Sequence, residues 1–324
     1  MPAQDHKKHH IRFIGVSPLF REIKQSILKA AKFGITILLS GETGTGKSLA
    51  AELIHSESPY YNHPFIQVSS ADLTNDLFSS QLFGHTKGSF TGATGDKKGF
   101  CDQVGKGTLV LEDIDNLTVE MQGRLLTFLD KFHYKALGSS QQKKFNGKLI
   151  LTTNKDLALL VKEQRFRHDL YHRVSDIELE IPPLRKRKED IKLLIEALLE
   201  EQRKQYHLKK LTIAQDAMNI LQHYDWYGNI RELEKTINKI VFHLDFKVEQ
   251  TITKRHLDKG SRIRTEWKMK PTEQETLPMV VADFERNIII EALDYCSEVR
   301  QDTAKYLGIS RRTLQNKMNR YELS

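Results

Sequence analysis

The run Gly41-Glu42-Thr43-Gly44-Thr45-Gly46-Lys47-Ser48 has the residue types and spacing needed to hold a chain of phosphates. Glycines there let backbone N–H groups turn inward around phosphate oxygens, and a helix starting at the end of the run adds a favourable dipole. Lys47 would neutralise the β- and γ-phosphates of ATP, and the Ser48 hydroxyl would ligate Mg²⁺. A second chemical feature is the adjacent pair Glu112 and Asp113, which follows the apolar run Thr108-Leu109-Val110-Leu111. Carboxylates at the C-terminal end of a parallel strand face the edge where ligands bind, so this pair can reach the same phosphates.

For these residues to meet, the loop needs a strand before it and a helix after it. Residues 35–39 are apolar and β-branched, and residues 48–55 have helical character, which supplies that strand–loop–helix unit. Residues 65–69, 108–111 and 149–153 read as further buried strands separated by helical stretches, notably 119–131. Ile177, Leu179 and Ile181 alternate as in one more strand, ended by Pro182-Pro183. Alternating strands and helices imply a mostly parallel sheet covered on both faces. After the prolines, 191–206, 213–223 and 230–244 read as helices with no strand between them. Asn229 is expected to cap the third, with Glu232 at the capping-box position. Residues 260–278 are polar, charged and aperiodic, which marks a linker before a last helical segment, 280–324.

Composition excludes several classes. An apolar fraction of 39% over 324 residues supports a sizeable core and argues against wholesale disorder. The net charge of +8 suits an anionic partner such as nucleic acid, although taken alone such a balance is more often a merely solvated surface. Cys101 and Cys296 have no motif spacing and read as reduced thiols; His6, His9 and His10 sit in a polar tail without metal-site spacing. Nothing approaches the roughly 20 apolar residues of a membrane span, and the polar start is no signal peptide, so a cytoplasmic protein is expected.

Between the phosphate loop and the carboxylates lies Leu82-Phe83-Gly84-His85-Thr86-Lys87-Gly88-Ser89-Phe90-Thr91-Gly92-Ala93. Gly88, Gly92 and the small Ala93 permit a tight projecting turn, and Phe90 and Thr91 at its tip are unusual for a mere connection. Together with the phosphate loop, this segment closely resembles the AAA+ domain of the bacterial enhancer-binding proteins, the ATPases that activate sigma-54 RNA polymerase. The resemblance covers nearly the whole chain from Phe13. It implies that Gly88, Ser89, Phe90, Thr91, Gly92 and Ala93 form the loop that touches sigma-54, with Ser89 standing where the family has Ala and Gln81 where it usually has Glu. Leu151-Thr152-Thr153-Asn154 resembles the sensor strand, whose Asn154 would read the γ-phosphate or its water. Arg167 and Arg173, in Arg165-Phe166-Arg167-His168-Asp169-Leu170-Tyr171-His172-Arg173, match the arginines that reach a neighbouring subunit's nucleotide. Arg231, in Asp225-Trp226-Tyr227-Gly228-Asn229-Ile230-Arg231, matches the second sensor arginine, with Tyr227 replacing the usual Pro. Sites split in this way imply a ring, a hexamer or heptamer with ATP at each interface.

Two departures bear on hydrolysis. The family has Asp first, on Mg²⁺, and Glu second, on the attacking water; here Glu112 precedes Asp113. Ser69 stands where the family usually has an Asn that restrains the catalytic Glu. A shift of roughly 1 Å in a reacting group can cost about 10²-fold, so binding without robust turnover stays open as an alternative.

Near the C-terminus, Gln301-Asp302-Thr303-Ala304-Lys305-Tyr306-Leu307-Gly308-Ile309 followed by Ser310-Arg311-Arg312-Thr313-Leu314-Gln315-Asn316-Lys317 reads as a helix-turn-helix. Gly308 allows the turn, Ser310 can cap the second helix, and Ala304, Leu307, Ile309 and Leu314 form a small core. Ser310, Arg311, Arg312, Thr313, Gln315, Asn316, Lys317 and Arg320 are the candidate DNA contacts, Arg, Asn and Gln suiting base edges and Lys suiting phosphates. The segment is similar to the Fis-type domain of many enhancer-binding proteins, and 280–295 is expected to supply a dimer helix.

The expected fold is therefore α/β: an AAA+ phosphate-loop domain with a parallel sheet, an α-helical lid and a small all-α helix-turn-helix domain. The expected boundaries are a tail at 1–11, the ATPase subdomain at 12–182, the lid at 183–259, a linker at 260–278 and the DNA-binding domain at 279–324. The expected function is to bind upstream double-stranded DNA, assemble as a ring and use ATP to remodel sigma-54 polymerase into the open complex. The alternatives are an ATP-responsive DNA-binding regulator that hydrolyses poorly and another AAA+ remodeller, which the Phe90–Thr91 loop disfavours. Only about ten polar residues precede the ATPase segment, from which regulation in trans by a partner protein, or by expression level, is expected.

Overall fold

The computed structural model describes residues 13–33, 36–75, 77–208, 210–244, 246, 250–260, 282, 285–286, 288–289, 292–293 and 299–321. The chain divides into two compact units after residue 262. The expected linker 260–278 lies almost wholly outside the described residues, as do His6, His9, His10 and Cys296.

In the first unit, five parallel strands form one sheet in the order β2-β3-β4-β1-β5: β1 Ile37–Ser40, β2 Phe65–Ser69, β3 Thr108–Glu112, β4 Lys148–Thr153 and β5 Glu178–Glu180. Register follows the apolar runs, with Leu38 opposite Leu151 and Leu111 opposite Leu151 on the other side. Side chains alternate between faces along a strand, and the two faces carry separate cores. Leu109, Leu111, Leu149 and Leu151 point to one, shared with α3 (Val119–Lys131) and α4 (His168–Val174). Ile37, Leu39, Val110 and Ile150 point to the other, shared with α1 (Pro18–Ala31) and α2 (Lys47–Ser56). Strands β1 and β4 are buried along their whole length, as expected for a sheet covered on both sides.

Local sequence explains the helix starts. The Ser17 hydroxyl accepts from Phe20 N–H with Pro18 in the first turn of α1, and Thr118 does the same for Met121 N–H at α3. At the other end of α1, the buried Lys148 amine donates to the Ala30, Ala31 and Phe33 carbonyls at 3.1, 2.9 and 2.5 Å. That is the helix end where a cation is favoured, yet burial still pushes this amine down to about 8.

The helical segment after Pro183 consists of α5 Glu189–Gln205, α6 Gln215–His223, α7 Asn229–Phe242 and α8 Lys254–Gly260. It contains one feature that helical periodicity hides: Thr212–Ile213 and Thr251–Ile252 pair in parallel, so residue 213 belongs to a short strand and α6 begins later than expected. Buried Asp190 on α5 ties this segment to α1, accepting from the Val16 and Ser17 N–H groups at 2.6 and 2.7 Å and from the Ser17 hydroxyl at 2.9 Å.

In the second unit, α9 Arg300–Tyr306 and α10 Arg311–Arg320 make the helix-turn-helix. Gly308 turns the chain at φ +66°, and Ser310 caps α10 by accepting from Thr313 N–H. Ala304, Leu314 and Met318 pack with Ile289 and Leu293, flanked by Leu307 and Ile309. The described residues within 280–295 are helical, though not every position there is described. Among the described residues no helix is long and apolar enough to cross a membrane.

Candidate functional site

The phosphate loop joins β1 to α2 at the C-terminal edge of the sheet, between the ends of β3 and β4 and the start of α7. Gly44 (φ +81°) shows how tightly the loop is enclosed: a Cβ there would lie 2.4 Å from the Gly228 carbonyl oxygen and 3.0 Å from the Arg231 Cβ. The Lys47 amine folds into the loop and donates to the Gly41 and Glu42 carbonyls at 2.7 and 3.2 Å. Thr45 closes the turn from the other side, its hydroxyl donating to the Glu42 carbonyl at 2.8 Å, while Thr43 and Gly46 complete it. Burial pushes the Lys47 amine below its ordinary value, opposed by the nearby Asp113 and Asp115 carboxylates.

The two carboxylates take different partners. Glu112 Oε1 accepts from the Ser48 hydroxyl at 2.7 Å and from Gln67 Nε2 at 3.4 Å. Asp113 sits in the left-handed region at φ 53°, where its N–H donates to Thr152 Oγ1 at 3.0 Å and its Oδ1 accepts from Asn154 Nδ2 at 3.4 Å. Burial raises the Asp113 carboxyl above the ordinary carboxylate range, with Lys47 pulling it back. The reversed pair thus separates by side-chain direction, Glu112 toward Ser48 and Asp113 toward Asn154. Ser69, paired with Glu112 in the ladder, spends its hydroxyl on the Ala71 N–H at 3.3 Å.

Asn229 departs from expectation. It is the first helical residue, at φ 55°, and not the cap. Its amide donates to Glu42 Oε2 and the Thr43 carbonyl, both at 3.1 Å, and its Oδ1 accepts from Leu184 N–H at 2.8 Å. Glu232 still reaches back to the helix start, from the fourth helical position and not the third that a capping box uses, accepting from Gly228 N–H at 2.8 Å. Glu42 also receives the Arg185 guanidinium in a two-point contact at 2.7 and 2.5 Å, which holds its carboxyl below the ordinary value. Arg187, fully buried over the Phe20 ring, donates to the Thr45 carbonyl at 2.9 Å, and burial lowers it to about 10. Sequence reasoning missed Gln67, Thr152, Arg185, Arg187 and this role of Asn229. The basic pair follows Pro182-Pro183 and looks like surface charge until the chain folds back over the phosphate loop.

Arg231 is exposed in the first turn of α7, beside Gly44, and its charge bears on both Lys47 and Asp113. Arg167, the residue before α4, and Arg173, in its last turn, have other partners: Arg167 pairs with Asp169 at 2.7 Å, and Arg173 donates to the Leu129 carbonyl at 2.8 Å.

The 84–98 loop is closed at its base, where Gly84–His85 pairs antiparallel with Lys97–Lys98. Backbone bonds knit the tip: Gly88 N–H to the Ala93 carbonyl at 2.9 Å and Ala93 N–H to the Phe90 carbonyl at 3.0 Å. Thr91 and Gly92 are exposed, and Ala93 is buried. Phe90, expected to project, is half-buried edge-on to the His85 ring, 5.0 Å between centroids, and Ser89 packs under Gly138.

On α10, Arg311, Arg312, Asn316 and Arg320 are exposed, while Ser310 and Thr313 bond to each other at the cap. Gln315 accepts from Arg300 and donates to Asn319. Lys317, expected to face phosphates, is drawn to Glu285 at 2.6 Å, and Glu285 also accepts from the Tyr321 hydroxyl.

Comparison with known proteins gives this arrangement a family. Residues 13–180 match the Sigma-54 interaction domain, 185–274 the AAA+ ATPase lid domain, and 280–321 the Bacterial regulatory protein, Fis family. This chain belongs to the family of sigma-54-dependent transcriptional activators. It is 34% identical to the Response regulator protein PilR of Pseudomonas aeruginosa over 95% of its own length and 69% of that protein. It is 36% identical to the Regulatory protein AtoC of Escherichia coli over 94% of its own length and 66% of that protein. The chain thus spans about two thirds of the length of these relatives. Among solved structures it resembles NtrX from Brucella abortus in complex with ADP, with a TM-score of 0.69, 26% identity, and coverage of 96% of this chain and 69% of that one. A second NtrX structure, in complex with ATP, matches at 0.68 and 25% identity. With an AAA+ core, a lid and a Fis-type reader all matched, this sigma-54 activator belongs to an ATPase family that binds nucleotide.

Proposed function

We propose that the chain hydrolyses ATP as a ring of identical subunits bound to upstream DNA, and that it uses the energy to remodel sigma-54 polymerase into an open complex in the cytoplasm. The observation that carries this reading is the convergence of Lys47, Ser48, Glu112, Asp113 and Asn154 at one edge of the sheet, with each carboxylate already facing a different partner. The facing oxygens of Ser48 and Glu112, 2.7 Å apart, are a hard donor set that fits Mg²⁺, which these two residues would hold beside the phosphates. When bound, the ion screens charge on the phosphate oxygens.

Lys47 would exchange the Gly41 and Glu42 carbonyls for β- and γ-phosphate oxygens. Asp113 would take a proton from the attacking water that Asn154 orients, a role within hydrogen-bond reach of about 2.6–3.2 Å. Arg231 would approach the phosphates from the lid of the same subunit, and Arg167 and Arg173 from a neighbour, leaving Asp169 and Leu129 to do so. The loop at 88–93 would engage sigma-54 through Thr91 and through Phe90 once it leaves His85. Arg311, Arg312, Asn316 and Arg320 would read DNA, supported by Ser310, Thr313, Gln315 and Lys317, with paired subunits on palindromic half-sites. Binding without turnover is not favoured, because residues 13–180 match the Sigma-54 interaction domain as a whole despite the reversed carboxylates.

Steady-state ATP hydrolysis against protein concentration, with Lys47→Ala as the blank, tests the reading. The rate per subunit should rise with concentration, and open complexes should form on a sigma-54 promoter with ATP but not with a non-hydrolysable analogue. Hydrolysis at the blank's level with ATP bound, or open complexes without hydrolysis, would sink it.

A further inference from the structure

His168 and His172 stand one turn apart on α4, and the nucleotide chemistry uses neither. Their Nε2 atoms meet at 3.0 Å, with ring centroids 4.3 Å apart and planes at 75°. Side chains four residues apart share one helix face, and two imidazoles at this spacing can chelate a first-row metal ion. Both rings are exposed, on a helix whose other face is fixed. Leu170 and Val174 are buried in the core that includes Leu125 and Leu129, and the Arg167 N–H donates to Gln122 Oε1 at 2.9 Å. The flanking cations are engaged elsewhere, Arg167 by Asp169 and Arg173 by the Leu129 carbonyl, so neither is a partner of the imidazoles.

Two Nε2 atoms in this contact need one proton between them, one ring donating and the other accepting. A metal ion uses both lone pairs instead, and the donating ring moves its proton to Nδ1 through solvent. We propose that His168 and His172 form a two-imidazole site for a divalent transition metal such as Cu²⁺, Ni²⁺ or Zn²⁺, with solvent filling the other positions. Imidazole nitrogen selects these ions over Mg²⁺, with Cu²⁺ held most tightly. Among the described residues no cluster of three or more His, Cys, Asp or Glu side chains is placed to hold a metal. The site is therefore open and reversible, unlike a closed structural one. It lies between Arg167 and Arg173. Bound metal would slow turnover by occupying the face that meets the neighbouring subunit, a consequence that rests on the arginine reading above; the binding does not.

The test uses the nucleotide-free full chain titrated with Ni²⁺ and Cu²⁺. His6, His9 and His10 are a second source of imidazole, so every protein carries H6Q/H9Q/H10Q. That background should bind one Ni²⁺ per chain and give a Cu²⁺ electron paramagnetic resonance spectrum with two nitrogen ligands. Adding H168Q or H172Q should remove the Ni²⁺ equivalent and the two-nitrogen signature. Equal stoichiometry and spectra with and without H168Q overturn the site. Added Ni²⁺ should then slow Mg²⁺-dependent ATP hydrolysis in the background protein and not in its H168Q form. Metal bound at the pair with turnover unchanged keeps the site and overturns the role given to the flanking arginines.

Discussion

Two glycine-rich loops, the phosphate loop and the 84–98 loop, share left-handed glycines and have opposite surroundings. At Gly44 an added Cβ would strike the Gly228 carbonyl at 2.4 Å; at Gly88, φ +78°, it would meet nothing within 4 Å. The first loop is enclosed by distant parts of the chain, including Asn229, Arg185 and Arg187, whose polar atoms satisfy its carbonyls and its Glu42 carboxylate. The second is closed mainly by its own backbone bonds and rests on Leu137 and Gly138. A loop enclosed by distant elements is rigid and intolerant of added volume. One knit locally can tilt as a body on its two-residue base while keeping its shape.

Predictions follow from that contrast, the largest first. Asp113→Asn removes the proposed base while leaving the enclosed loop in place, so hydrolysis should fall by about 10²–10⁴ with ATP affinity kept. Loss of affinity instead would mean that Asp113 supports the loop itself. Gly44→Ala should weaken ATP binding by roughly a hundredfold, about 3 kcal/mol, as read by calorimetric titration. Normal affinity there would break the comparison outright. Asn229→Ala leaves the buried Leu184 N–H without its partner, for a loss of ~1–3 kcal/mol in thermal unfolding. Gly88→Ala should cost only about 1 kcal/mol of local strain and leave ATP binding untouched, while impairing open-complex formation. A joint loss of ATP binding would show the two loops to be one unit.

The smallest effect is in acid. Arg185 holds the Glu42 carboxyl below its ordinary 4.5, so their contact stabilises the fold above that pH and loses its contribution as pH falls through the depressed value. Arg185→Ala should flatten that part of the stability curve, measured by denaturant unfolding across acidic pH.

Much of this arrangement is legible in the chain. Strands β1 to β5, helix α3 and the cap of α10 follow from apolar alternation, helical periodicity and a hydroxyl before a helix start, all of which are local signals. Four features are not. Asn229 has the residue type of a cap, and only the fold places Glu42 and Thr43 within its reach. The pairing of Thr212–Ile213 with Thr251–Ile252 joins segments far apart in sequence through two residues each, too short for a periodicity to appear. Lys317 reads as a phosphate contact until Glu285, a full helix away, draws it in. Phe90 reads as a projecting tip, and the His85 ring gives it apolar contact instead.

By itself the sequence determined the identity of the chemistry. Phosphate-binding glycines, a lysine, a hydroxyl and two carboxylates at the ends of buried strands require a particular local backbone, and that backbone is encoded within a few residues of each. Tertiary structure alone decided which partners the two carboxylates take, with Glu112 on Ser48 and Asp113 on Asn154, and which cations close the loop. Those outcomes depend on side-chain direction across neighbouring strands and on the lid folding back over the sheet edge. Hydrogen bonds between residues more than a hundred positions apart leave no periodic trace in the chain that makes them.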